Sequence, residues 1–197
     1  MALPPQTTGP PAPPPAVFRY CRPPVAVTGK PVMARFRVSL GTTVLDATFA
    51  RDSNANTRLE LSAPSSHTPQ LAMLWSAKDG VEKLVDYHAR TVSIRKWPAP
   101  AEPDNWSFGG FAAEWSDHHD KLAGHDCRRV KLKSLEGGVE LAREAGECWI
   151  SESLMLVLRE RIAGPGGTMQ EWEIVEVEQK APPDDVLAIP PGFREMK

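Results

Sequence analysis

The stretch GHDCRRVKLKSLEGGVELAREAGECWI, residues 124–150, decides the fold of this chain. Apolar Val130 and Leu132 alternate with cationic side chains, and the alternation resumes after the pair Gly137-Gly138. Alternation with a period of two is typical of a half-buried strand, and two glycines between such runs supply the positive φ angles of a tight turn. The stretch therefore predicts a β-hairpin.

A two-residue loop at the glycines also fixes which residues face each other. It aligns one thiol pair and two pairs of opposite charge, Cys127 with Cys148, Lys131 with Glu144 and Arg128 with Glu147. The two cysteines then occupy a non-hydrogen-bonded position with Cα atoms about 4.5 Å apart, which is within disulfide reach. This register predicts a cross-strand disulfide on the polar side of the hairpin. Reduced thiols in a cytosolic protein are the alternative.

The composition sets limits on size and partners. At 197 residues the chain suits one domain with a tail, and such a domain buries a core without relying on a disulfide. The 23 Lys and Arg residues are balanced by 25 Asp and Glu residues, so the basic surface typical of nucleic acid binding is missing. No apolar run approaches the roughly 18 residues of a membrane-spanning helix.

Proline separates the first part of the chain from the rest. Half of the 20 prolines lie within residues 1–31, which predicts a flexible leader over residues 1–30 and a single domain over residues 31–197. The leader contains Cys21, which the hairpin leaves unpaired, and it lacks the charged and apolar regions of a signal peptide. Because a disulfide favours an oxidising compartment, we expect a periplasmic or secreted protein whose signal peptide has been removed.

The domain has the pattern of a series of antiparallel strands. In VMARFRVSL, residues 32–40, the apolar side chains of Ala34, Phe36 and Val38 fall on one face and the arginines on the other. One helix is predicted over residues 111–121, where aromatic residues recur at three-to-four spacing. These patterns predict a mainly β fold, a single strongly curved antiparallel sheet with one or a few short helices on its concave side.

The concave side of such a sheet has to be covered. The helix around Trp115 and the loops near residues 98–110 are the candidates for this in the sequence, and any space that they leave would form an apolar cavity. Its predicted lining consists of inward aromatic and aliphatic side chains: Phe36, Val38, Leu45, Phe49, Leu59, Trp75, Trp106, Phe111, Trp115 and Trp172. Ordinary core packing is the alternative for each tryptophan.

The order of these elements resembles a known family. The resemblance is carried by FRVSL (36–40), MLWSAKDGVEKLVDYHARTVSI (73–94), AGHDCRRVKL (123–132), ECWISESLMLVLRERI (147–162) and LAIPPGFREM (187–196). Over residues 31–197 the layout resembles the bacterial lipoprotein-sorting carriers of the LolA and LolB type, together with related secreted domains. The resemblance implies an unclosed antiparallel half-barrel capped by helices. Members of known role hold acyl chains in its cavity.

Catalytic and metal sites find little support in the sequence. The strongest metal candidate is the set His118, His119, His125 and Cys127. Adjacent histidines diverge on a helix, however, and Cys127 is used in the predicted disulfide. Ser151 and Ser153 lack the sequence context of a nucleophile elbow. No metal, cofactor or catalytic residue is therefore predicted.

The sequence thus predicts a non-enzymatic extracytoplasmic protein. Its predicted partner is a lipid, a lipoprotein or another hydrophobic ligand, bound in the concave face of the sheet. A protein-interaction or sensor scaffold with a filled core and no small-molecule ligand is the alternative, and a metal-dependent enzyme has the least support. A packed interior would favour the scaffold.

Overall fold

The computed structural model describes residues 30–66, 68–96, 111–136, 139–164 and 167–196. Twelve strands account for most of them: β1 (Val32–Leu40), β2 (Thr43–Arg51), β3 (Thr57–Ser62), β4 (Pro69–Ser76), β5 (Val81–Asp86), β6 (Thr91–Lys96), β7 (Phe111–Leu122), β8 (His125–Glu136), β9 (Val139–Ser151), β10 (Leu156–Ala163), β11 (Met169–Glu178) and β12 (Arg194–Met196). A 3-10 helix, Asp184–Leu187, precedes β12. The predicted mainly β fold is confirmed.

All twelve strands belong to one sheet, in the order β12-β6-β5-β4-β3-β2-β1-β11-β10-β9-β8-β7. Neighbours are antiparallel except β12 and β6, which are parallel. The pairing of β1 with β11 joins two meanders, one running from β1 to β6 and the other from β7 to β11. Since β12 and β7 occupy the two edges, the curved sheet is an unclosed half-barrel, as predicted. No helix in the described ranges is long and apolar enough to cross a membrane.

Alternation along the strands builds the main core. In β1 the residues at even positions from Val32 to Val38 are buried, and Arg35 and Arg37 between them are exposed. The main core consists of Val32, Ala34, Phe36, Val38, Ala47, Phe49, Leu59, Leu61, Cys127, Trp149, Leu154, Leu156, Leu158, Trp172 and Ile174. Both meanders contribute to it, so burial of this apolar surface holds the two halves of the sheet together.

The chain between β11 and β12, residues 179–193, is called the C-terminal segment here. It covers the opposite face of β4, β5 and β6. That face carries a separate small core of Ala72, Leu74, Val85 and Val92. These residues alternate along the strands with those that face the main core. Ile189 and Phe193 of the C-terminal segment pack on it, together with Tyr87. The rings of Tyr87 and Phe193 meet edge to face with their centroids 5.3 Å apart. The sheet is therefore apolar on both sides in this region.

The helix predicted over residues 111–121 is wrong, because this segment forms β7. β7 pairs with β8 and is interrupted by an irregularity between Trp115 and His119. Phe111 and Ala113 fit a period of two as well as the helical spacing, and both pack against a second core of Val130, Leu132, Cys148, Ile150, Val157 and Ile162. The hydrogen-bonding edge that β8 offers decides between the two periodicities. In the described ranges no α-helix covers the sheet.

The hairpin of β8 and β9 is confirmed, with Glu136 opposite Val139 beside the turn. Irregularities farther from the turn shift the register, so that Val130 and not Cys127 faces Cys148. A bulge inserts an unpaired residue into one strand, and a shift by an odd number of residues moves a side chain to the other face of the sheet. The predicted register therefore holds only near the turn.

The predicted disulfide between Cys127 and Cys148 is wrong for this reason. Cys127 faces Asp120 and belongs to the main core, whereas Cys148 belongs to the second core. Both cysteines are buried free thiols. Burial raises the pKa of the Cys127 thiol to about 11 and also raises the pKa of Cys148. Both thiols thus stay protonated at neutral pH and behave as small apolar groups.

The two predicted charge pairs respond differently to the new register. Lys131 faces Glu147, yet its ammonium group still lies 3.7 Å from the carboxylate of Glu144. Arg129 takes the place predicted for Arg128, with its Nε 2.8 Å from the carboxylate of Glu147. Long charged side chains reach diagonal partners across a sheet, so an ion pair tolerates a register shift that separates two thiols.

Candidate functional site

Most residues predicted to line an interior cavity instead pack against one another. Phe36, Val38, Phe49, Leu59 and Trp172 are buried in the main core, and Leu45 packs against it. The rings of Phe36 and Trp172 meet edge to face at a centroid distance of 5.8 Å. These side chains shield one another from solvent, so this part of the interior is occupied by protein. Trp106 lies outside the described residues.

Two further predicted residues lie on the edge strand β7. Phe111 packs against the second core. Trp115 is 36% exposed, and the guanidinium carbon of Arg128 lies 5.3 Å from the centroid of its ring. This geometry is a cation–π contact at the surface. The structure thus places Trp115 at the surface of the edge strand.

Trp75, the remaining predicted residue, lines a cleft of about 330 Å³. This volume lies within the range of small-molecule sites, roughly 300–1,000 Å³. The cleft is formed where the β2–β3 turn and the ends of β3, β4 and β5 meet the C-terminal segment. It is lined by Asp52, Asn56, Thr57, Leu74, Trp75, Ser76, Val81, Lys83, Pro182, Pro183, Asp184 and Leu187.

Hydrogen bonds hold one wall of the cleft in place. The carboxylate of Asp52 accepts three hydrogen bonds of 2.8 Å, from the backbone N–H of Asn54 and from the backbone N–H and side-chain amide of Asn56. The side-chain oxygen of Asn56 accepts a bond of 3.2 Å from the N–H of Ala77 and so links the β2–β3 turn to the β4–β5 turn. The wall is therefore formed before any ligand binds, and Asp52 has a structural role in it.

Buried Arg58 holds the opposite wall, the C-terminal segment, against β3. It donates to the backbone carbonyl of Ala188 and to the hydroxyl of Tyr87, and its Nε lies 2.9 Å from Glu60. The Tyr87 hydroxyl in turn donates to Glu60 at 3.0 Å. Burial, with the nearby Glu60 carboxylate, raises the pKa of Tyr87 to about 12, so its hydroxyl keeps its proton at neutral pH.

The chemistry of the cleft is suited to binding. The lining is evenly divided between polar and apolar residues, with half-buried Trp75 among the apolar ones. Lys83 is half-buried and has no ion-pair partner among the described residues. Ser76 donates its hydroxyl to Asp79 at 3.1 Å. Neither histidine nor cysteine lies among the described lining residues.

The histidines considered as metal ligands have other contacts. His119 lies on β7 with its Nδ1 2.7 Å from the carboxylate of Asp126, and Cys127 is enclosed in the main core. Within the described ranges, no group of three His, Cys, Asp or Glu side chains is arranged to hold a metal ion.

A buried carboxyl group, missed in the sequence, lies where the main core and the second core meet. Glu160 on β10 faces Trp172 on one side and Cys148 on the other. It is only 5% exposed, and it forms no hydrogen bond or ion pair with any described residue. A signal is present, because strict alternation places Glu160 on the same face as Leu158 and Ile162. Glutamate at such a position is ordinarily interpreted as facing solvent.

Substituting Glu160→Gln should remove a pH dependence of stability. Burial raises the pKa of Glu160 from 4.5 to about 8. The native state then holds a proton that the unfolded chain releases, so this group lowers the free energy of unfolding as pH rises from about 4.5 to 8. We expect the variant and the wild type to have the same free energy of unfolding near pH 4. As the pH rises, the free energy of unfolding of the variant should exceed that of the wild type by up to about 1.4 kcal/mol more per pH unit, with no further increase above pH 8. Urea unfolding across this pH range measures the difference.

Glu176→Gln is the matched control for the pH series. Glu176 is half exposed on β11 and binds exposed Arg35 at 2.7 Å. Exposed ion pairs contribute less than about 1 kcal/mol, so we expect a small change at every pH. Parallel profiles for the two variants would contradict the burial of Glu160.

Comparison with known proteins identifies the fold through solved structures. No protein-family model matches the sequence, and no curated protein matches it. An uncharacterised conserved protein from Thermus thermophilus matches with a TM-score of 0.60 at 13% identity, over 92% of this chain and 96% of that chain. MucB, in the Pseudomonas aeruginosa MucA/MucB complex, matches with a TM-score of 0.54 at 11% identity, over 89% of this chain and 60% of that chain. NE2245, a LolA superfamily protein from Nitrosomonas europaea, aligns over 88% of this chain and 96% of that chain, with a TM-score of 0.39 at 10% identity.

Identities this low establish likeness of fold alone. The unclosed antiparallel half-barrel that the sequence resemblance implied is confirmed by the twelve-stranded sheet, and the chain is similar in fold to MucB and to the Thermus protein. The chain spans 60% of the MucB chain that it matches. Its helix content differs from the implied fold, because the described chain carries no capping α-helix.

Proposed function

We propose that this protein is a non-enzymatic binding protein whose cleft between β3, β4, β5 and the C-terminal segment takes a small ligand with an apolar or aromatic body. The observation that carries the proposal is the cleft itself, about 330 Å³ with Trp75 on its wall and a preformed lining. Clefts that combine apolar walls with a few polar groups are the usual form of ligand sites. The proposed ligand class is the hydrophobic one expected from the sequence, and the proposed site lies at one end of the strands rather than in the interior of the half-barrel.

The volume limits the size of the ligand. Because one water molecule occupies about 30 Å³ of liquid, a cleft of about 330 Å³ corresponds to a ligand of roughly ten non-hydrogen atoms. A medium-length chain such as 1-octanol fits this volume, whereas a lipid with two long chains does not. Trp75 and Leu74 would contact its apolar body, and Lys83 and Asp184 would remain near its polar end.

A titration with 1-octanol tests the proposal. We expect saturable binding, measured by calorimetry and by amide chemical shifts around the cleft, and at least a tenfold loss of affinity in Trp75→Ala. Trp115→Ala is the matched control, because it removes a half-exposed indole from β7, away from the cleft. Absence of saturation, or an equal loss of affinity in both variants, would overturn the proposal.

A protein-interaction scaffold is the second candidate, and the packed main core favours it. Phe36, Val38 and Trp172 occupy with protein the interior that an acyl chain would need. A chain of similar fold, MucB, has been solved with MucA, which is a property of that protein. The scaffold function predicts that neither 1-octanol nor a long-chain fluorescent fatty acid binds saturably to the purified protein.

We also propose an extracytoplasmic location. The likeness in fold to MucB, which has been solved in complex with MucA(peri), supports it. The predicted disulfide no longer does, because Cys127 and Cys148 are separate buried thiols. Cell fractionation of the native gene product tests the location, and recovery of the protein with cytosolic markers alone would contradict it.

A further inference from the structure

Two buried polar groups without partners face each other across β10 and β11. The indole N–H of Trp172 is enclosed and meets no acceptor among the described residues. Glu160, its direct cross-strand neighbour, is 5% exposed, and its carboxyl group bonds to no described residue. Buried polar groups in folded proteins nearly always have hydrogen-bond partners, so a neighbouring unsatisfied donor and carboxyl group require an explanation.

Strand pairing places the two groups next to each other. Residues directly opposed in an antiparallel sheet have Cβ atoms about 4.5–5.5 Å apart, so side chains that do not bond directly are well placed to share one bridging atom. Glu160 keeps a small part of its surface accessible, whereas the indole N–H of Trp172 is fully enclosed. The surroundings are apolar, with the ring of Phe36 against Trp172 and the thiol of Cys148 opposite Glu160.

We propose that a single hydroxyl group binds here and bridges the indole N–H of Trp172 to the carboxyl group of Glu160. A hydroxyl oxygen accepts from the indole N–H, and its proton and second lone pair suit the carboxyl group in either protonation state. An ammonium group has no lone pair to accept from the indole, and an anion would lie against the carboxyl group. Two sources carry this chemistry, an ordered water molecule and a small apolar alcohol. This site is separate from the cleft and does not depend on the function proposed for it.

Indole NMR on the full chain tests the bridge. The Trp172 indole resonance is identified as the one that disappears in Trp172→Phe. If water is the source, this proton gives a cross-peak to a long-lived water molecule and does not respond to 1-butanol. If an alcohol is the source, 1-butanol shifts the resonance saturably, and n-pentane, which is similar in size but has no oxygen atom, does not. Either result supports the bridge and identifies its source.

Two comparisons keep the test specific. The indole N–H of Trp149 already donates to Asp120 at 2.7 Å, so its resonance should show neither effect. Glu160→Gln keeps a polar end and should retain the effect, whereas Glu160→Leu should abolish the water cross-peak or weaken butanol binding at least tenfold. A Trp172 indole with neither a water cross-peak nor a saturable shift overturns the proposal, and so does an effect that persists unchanged in Glu160→Leu.

Discussion

Gly146→Ala should destabilise the protein by about 3 kcal/mol or more, because β9 and β10 approach too closely at this position for a side chain. A Cβ atom at Gly146 would lie 2.0 Å from the carbonyl oxygen of Arg161 and 2.8 Å from the Cα of Ile162. Both are backbone atoms of the paired strand, so no side-chain rotation relieves the clash. Denaturant unfolding of the variant and the wild type measures the loss.

Gly124→Ala separates the clash from the ordinary cost of replacing glycine. Gly124 lies in the turn between β7 and β8 with a φ of 82°, and no atom lies within 4 Å of a Cβ built there. Its replacement should therefore cost only the backbone strain of a left-handed conformation, about 1–2 kcal/mol. Equal losses in the two variants would show that β9 and β10 separate easily at Gly146.

The sequence predicted the strands well because their signals are local. The alternation in β1 and the glycine pair between β8 and β9 each lie within a few residues, and hydrophobic alternation with a turn needs no knowledge of the rest of the chain. The helix predicted over residues 111–121 failed because its apolar spacing also fits a strand. The choice depended on the open edge of β8, which is a tertiary feature.

Register and sites depended on information that no short window contains. The bulges in the hairpin follow from how β8 fits both β7 and β9, and they separated Cys127 from Cys148. The cleft brings together the turn at residues 52–56, the ends of β4 and β5, and residues 182–187. Of the predicted lining residues that the structure describes, only Trp75 reached this cleft. Aromatic content indicates burial without indicating which surfaces are buried against each other.

Arg51→Met should cost about 4 kcal/mol, because it removes a buried set of hydrogen bonds and leaves their acceptors in place. Arg51 is fully buried at the end of β2. Its guanidinium group donates to the carbonyl of Lys30 at 2.9 and 3.0 Å, to that of Leu154 at 2.5 Å and to that of Met155 at 2.7 Å. It thereby fixes the β9–β10 turn against the start of β1. Denaturant unfolding measures the loss, and amide exchange at Met155 should accelerate more than exchange in β5.

A gain in stability for Arg51→Met would also have a physical explanation, so the measurement decides between two accounts of Arg51. Burial lowers the pKa of Arg51 to about 10, which means that the folded state disfavours the charged form of the guanidinium group. Replacing buried charged groups by apolar residues often stabilises a protein. Here the partners are backbone carbonyls, which no side-chain substitution removes, and Met would leave three of them facing an apolar group. The exposed Arg35, whose side chain is 62% accessible, is the control, and Arg35→Met should cost less than about 1 kcal/mol. A stability of Arg51→Met equal to that of Arg35→Met would show that water reaches these carbonyls and that the β9–β10 turn does not depend on Arg51.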